Sequence, residues 1–110
     1  EFTLMLLGYL LSPSGKLVLT TPNGVRLGNR LRLLLGRNPF ERIRFFDQNP
    51  GHFREYTSAE MREMAGPSGL LCLSSEVVNL YPRAWKSLFA SGPFRSMGDN
   101  LVAVFSRPQD

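Results

Sequence analysis

The stretch Leu10-Leu11-Ser12-Pro13-Ser14-Gly15-Lys16-Leu17-Val18-Leu19-Thr20-Thr21-Pro22-Asn23 decides how this chain is read. Upstream of it, Leu4, Leu7 and Leu11 recur at helical spacing, and Ser12-Pro13-Ser14-Gly15 ends that pattern. Lys16 to Thr21 then forms an apolar, β-branched run closed by Pro22-Asn23-Gly24, the pattern of a buried strand. Helix, Pro/Gly turn and buried strand together make the αβ half of a βαβ unit, in which the strand pairs in parallel with a neighbour reached through the helix. That neighbour is not part of the sequence in hand.

Working outward, Leu27, Leu31, Leu34 and Leu35 fall on one face of a helix expected over about 25–35, with Arg26, Arg30 and Arg37 on other faces and Gly36 as its stop. Arg37 to Tyr56 has no sustained period and reads as a long loop. Its Phe40, Phe45, Phe46, Phe53 and Tyr56 favour an ordered lid. Thr57-Ser58-Ala59-Glu60 is a capping box opening a short helix to about Ala65. Gly66-Pro67-Ser68-Gly69 breaks that helix. A second strand is expected over 70–78, a helical turn or two over 83–90 and a third strand over 101–105. The expected fold is α/β, in a single partial domain over residues 1–110.

Composition narrows the class of protein. At 110 residues the chain is one domain at most, able to bury roughly two-thirds of its unfolded surface. Apolar residues at 43% and charged residues at 20% have the balance of a folded globular protein. No apolar run approaches the ~20 residues that span a bilayer, so no membrane partner is expected. Cys72 is the single cysteine, which excludes an internal disulfide and a multi-cysteine metal site and fits a reducing cytoplasm. The net charge of +4 rests on arginine, and Arg26 to Arg44 is dense in it. That cluster reads either as the solvated face of a helix and the loop after it or as a surface for RNA, phosphate or an acidic protein.

The stretch from Leu10 to Asn23 resembles the fifth-strand region of class I S-adenosylmethionine-dependent methyltransferases. In that family a helix ending in Leu passes through Pro-Gly-Gly and a basic residue into a strand closing in Thr-Pro-Asn; Ser14 stands here for the first Gly. His52-Phe53-Arg54-Glu55-Tyr56-Thr57-Ser58-Ala59-Glu60-Met61-Arg62 is similar to the His-x-Arg-Glu-Tyr-Thr segment that enters the helix before the sixth strand in many bacterial members. The Gly66 to Gly69 turn departs from the family's Ala-Gly-Phe ending. Together the two segments cover most of the chain.

The resemblance implies the C-terminal half of a Rossmann-like domain: a three-layer fragment with a mixed sheet of about three strands, the last running antiparallel between the other two. It implies an acceptor-side pocket lined by Thr21, Pro22, Asn23, Arg54 and Tyr56, with a small-molecule methyl acceptor. His52 is the candidate base, since it alone has a near-neutral ordinary pKa, unless it is a loop histidine bonded to backbone. Tyr56 has a second reading as a packing residue before the capping box, and Arg54 with Glu55 reads as a surface pair. The family's Gly-rich donor turn and ribose-binding acid are not found, so S-adenosylmethionine is the cofactor of the complete family and is not expected to bind this chain alone. The first strand would leave an edge unpaired, and a homodimer or domain-swapped oligomer is the expected partner arrangement. The alternative is a basic binding module.

Overall fold

The computed structural model describes residues 2–40, 54–78 and 92–109. Helix α1 (Phe2–Leu10) leads through a turn into strand β1 (Lys16–Pro22), and helix α2 (Leu27–Leu34) follows. Helix α3 (Ser58–Glu63) runs through a 3-10 turn at Gly66–Ser68 into strand β2 (Leu71–Val78). A second 3-10 turn at Gly92–Met97 precedes strand β3 (Asn100–Ser106). The helix expected over 83–90 lies outside the described residues, as does most of the expected lid.

The sheet order is β1-β3-β2, so the last strand lies between the other two and runs antiparallel to both. The last strand lies antiparallel between the other two as expected, while the label of a mixed sheet is corrected, since every pairing among the described strands is antiparallel. β1 and β2 point the same way but never touch, because β3 separates them. Period-2 alternation explains the central position of β3: Leu101, Ala103 and Phe105 are fully buried while their neighbours are half-buried.

On that core face Leu17 and Leu19 of β1 flank β3 on one side, and Cys72 and Val77 of β2 flank it on the other. Leu4 of α1, Met61 and Ala65 around α3, and Leu70 close over them. Burying a side chain such as Phe105 contributes about 1.5–3 kcal/mol. The opposite face carries Val18, 59% exposed, beside Val104. Leu71 and Leu73 are also half exposed. The described helices in the core cluster, α1 and α3, thus share one face of the sheet.

The turns obey local chemistry. Gly36 and Gly69 both sit at φ +69, the left-handed region that ends helices. After α2, Arg37 N donates to Arg32 O and Gly36 N to Leu33 O, closing a Schellman motif. Arg107 Nη1 donates to Leu11 O at 3.1 Å, placing a cation at the end of α1.

Two features mark the outer strand β2. Its register against β3 shifts between Cys72 and Ser74, a bulge at Leu73. The Ser75 carbonyl accepts from Ser58 Oγ at 2.9 Å and from Arg62 Nη2 at 3.0 Å, both side chains of α3.

Helix α2 overturns its expected orientation. Of the four leucines expected on one face, Leu27 is half-buried while Leu31, Leu34 and Leu35 are exposed, Leu34 at 82%. The buried residue of α2 is Asn29. Polar bonds, rather than an apolar stripe, determine which side of this helix faces inward.

Candidate functional site

The end of β1 is organised by Asn23, which is fully buried. Its Nδ2 donates to Ser96 O at 2.9 Å and to Gly98 O at 2.7 Å, while its Oδ1 accepts from Val25 N at 3.2 Å. All the polar capacity of this side chain that matters is thus committed to backbone, and a buried amide needs such partners to offset its desolvation. Asn23 also forms a parallel bridge with Tyr56, with Gly24 N donating to Tyr56 O at 3.0 Å. The entry to α3 is docked there against the end of β1.

A cavity of about 200 Å³ opens beside this junction, lined by Thr3, Leu4 and Leu7 of α1, Leu19, Thr20 and Thr21 of β1, and Tyr56, Met61 and Met64. Among the described residues its walls are largely apolar with three threonines and one tyrosine, and carry no His, Asp, Glu, Lys or Cys. Such a lining can hold and orient a compact, largely apolar molecule, and none of its described members is a carboxylate or imidazole that could act as a base.

Tyr56 also borders a second, more polar groove with Arg54, Glu60, Glu63 and Met64. The Arg54 guanidinium lies 5.3 Å from the Tyr56 ring centroid and its Nη2 donates to Glu60 Oε1 at 2.7 Å. Glu60 completes the capping box: its Oε2 accepts from Thr57 N at 2.8 Å and its own N donates to Thr57 Oγ1 at 3.2 Å. The Thr57 amide, and then Arg54, hold the Glu60 carboxyl below its ordinary value of 4.5, against the opposing effect of burial.

Of the residues singled out in the sequence, Thr21 and Tyr56 meet in the cavity, and Arg54 joins Tyr56 in the neighbouring groove. Pro22 is half-buried in β1 opposite Asn100, and Asn23 is a structural anchor beneath the site. His52 lies outside the described residues. Tyr56 also packs on the core cluster and, as the residue before the cap, shares the cavity wall with Met61, the position a hydrophobic staple would use.

The expected Arg54–Glu55 surface pair is corrected. Arg54 pairs with Glu60, while the Glu55 side chain is only 5% exposed and pairs with Arg26 at 3.1 Å. Glu55 Oε2 also accepts from Asn29 Nδ2 at 3.0 Å, and that amide donates to Gly24 O at 2.9 Å. Sequence reading missed Asn29; its signal was an asparagine inside a helix, where the side chain is costly unless it finds a partner. Two arginines of the basic cluster are likewise engaged: Arg26 with Glu55, and Arg30 with Val25 O and Ser96 Oγ.

Among the described residues no three of His, Cys, Asp and Glu gather closely enough to hold a metal ion. No helix among them is long and apolar enough to cross a membrane. No protein-family model matches the sequence, and no curated protein matches it.

Proposed function

We propose that this chain is the acceptor-side portion of a Rossmann-like, S-adenosylmethionine-dependent methyltransferase of the cytoplasm. The observation that carries the reading is the strand order β1-β3-β2, with the last strand antiparallel between two strands that share a direction. That is the arrangement the resemblance implies, and the Thr21-Pro22-Asn23 motif ends the first of those strands beside a cavity. Methyl transfer from a sulfonium is an in-line displacement, so a pocket that positions an acceptor can contribute much of the rate without a base in its wall. In this reading Thr21 and Tyr56, with Thr3 and Thr20, supply the hydroxyl groups of the pocket wall.

The donor-binding features of that family are not among these 110 residues, so the chain alone is expected to be inactive. The coding sequence upstream of Glu1 tests the reading: an in-frame Gly-rich strand-turn-helix is expected, and an unrelated fold there would overturn it. Calorimetry gives the second arm. The protein extended by that segment should bind S-adenosylmethionine at micromolar concentration and residues 1–110 should not; binding by residues 1–110 would sink the claim that the donor site lies elsewhere. The binding-module alternative gains no support from Arg26 and Arg30, whose guanidinium groups already have partners.

A further inference from the structure

Carboxylates are rarely buried unless paired, because taking the charge out of water is costly. Glu55 is such a case, and neither the core nor the proposed chemistry accounts for it. Its two oxygens are divided between two donors on the segment after β1: Oε1 accepts from Arg26 Nη1 at 3.1 Å and Oε2 from Asn29 Nδ2 at 3.0 Å. The Asn29 amide donates as well to Gly24 O at 2.9 Å, and Gly24 N returns a bond to Tyr56 O at 3.0 Å. The result is a closed ring of bonds, Gly24 to Tyr56 along the backbone and Glu55 to Asn29 to Gly24 through side chains. It fastens 54–57 to 23–29.

We infer that Glu55 is a latch: a positioning residue that holds residues 54–57 against the end of β1, and so fixes Tyr56 as a wall of the 200 Å³ cavity. Releasing the carboxylate opens that wall while the sheet stays folded. Three arrangements make the release local. None of Arg26, Asn29 and Glu55 belongs to the buried apolar cluster. Helix α3 keeps its own capping box and its bonds from Ser58 and Arg62 to Ser75, so it stays seated when the latch is lost. The bonds of the ring are concentrated at one junction, so removing one carboxylate removes both side-chain donors' acceptor at once. Local openings of this kind cost less than global unfolding and are read separately by amide exchange. The latch rests on geometry alone and stands or falls independently of the methyltransferase reading.

Amide hydrogen exchange on the whole chain, in Glu55→Ala and Glu55→Gln, tests it. In Glu55→Ala the Gly24 amide should exchange about 10-fold faster or more, the scale of a lost bond to a charged group. The amides of Ala103 and Phe105 in the central strand should exchange as in the parent chain. Glu55→Gln keeps the shape and one acceptor oxygen, and should fall between the two at Gly24. Equal acceleration at Gly24 and Ala103 would mean that Glu55 acts on the whole fold, and unchanged exchange at Gly24 would mean that it holds nothing; either result overturns the latch. Where Glu55→Ala fails to fold, the same comparison is read in Glu55→Gln.

Discussion

Asn23 Nδ2 donates to the carbonyl of Gly98 at 2.7 Å, joining two points 75 residues apart in the chain. The bond welds the end of β1 to the approach to β3, and the neighbouring Asn23 N to Asp99 O bond at 2.9 Å runs in the same direction. Asn23→Ala removes one donor group from two buried or part-buried carbonyls and the acceptor of the Val25 amide. A loss of about 2–3 kcal/mol is expected, at the upper end for orphaned buried partners. Urea unfolding measures it, and a loss below about 0.5 kcal/mol would show that the turn at 96–98 does not depend on this side chain.

The capping box makes stability depend on acid. Glu60 has its carboxyl pKa lowered in the folded chain, so the folded state favours the ionised form more than the unfolded state does. The contribution is fully present above the unfolded value of about 4.5 and is lost as pH falls through the lower folded value. Thermal melts from pH 6 down to pH 3 should show this loss, and Glu60→Gln should flatten that part of the profile. Thr57→Ala removes the other half of the box and should cost about 0.5–2 kcal/mol at neutral pH.

Along β1 the described ladder partner is β3 alone, apart from the Asn23–Tyr56 bridge beyond the strand's end. The expected homodimer would place a second copy there in antiparallel fashion. Pairing centred on Leu19 sets Lys16 opposite Pro22 of the other copy, which keeps the two lysines at opposite ends of the ladder. Sedimentation at micromolar concentration should give a dimer. A monodisperse monomer would remove this arrangement.

Strands were legible because period-2 patterning and turn residues are local: β2 and β3 begin and end within one residue of their expected bounds. The helix opened by Thr57 was equally plain, since its start is written in two side chains three residues apart. The inward side of α2 was not. Its leucine spacing pointed one way, but the helix is oriented by Glu55 and Gly24, whose proximity to Asn29 exists only after folding. The candidate site divides in the same way. Thr21 and Tyr56 could be named from their motifs and do meet in one cavity, whereas the anchoring role of Asn23 depends on carbonyls at 96 and 98 that no local pattern announces.

The two sides of the sheet differ in what they allow. On β2 the Leu73 bulge breaks the register and α3 occupies the Ser75 carbonyl with two side-chain donors, both devices that discourage a further strand. β1 has neither. Among the described strands growth would proceed from the β1 margin only, and two copies meeting there would leave no competent margin. Assembly by that route would stop at two instead of running on into a fibre.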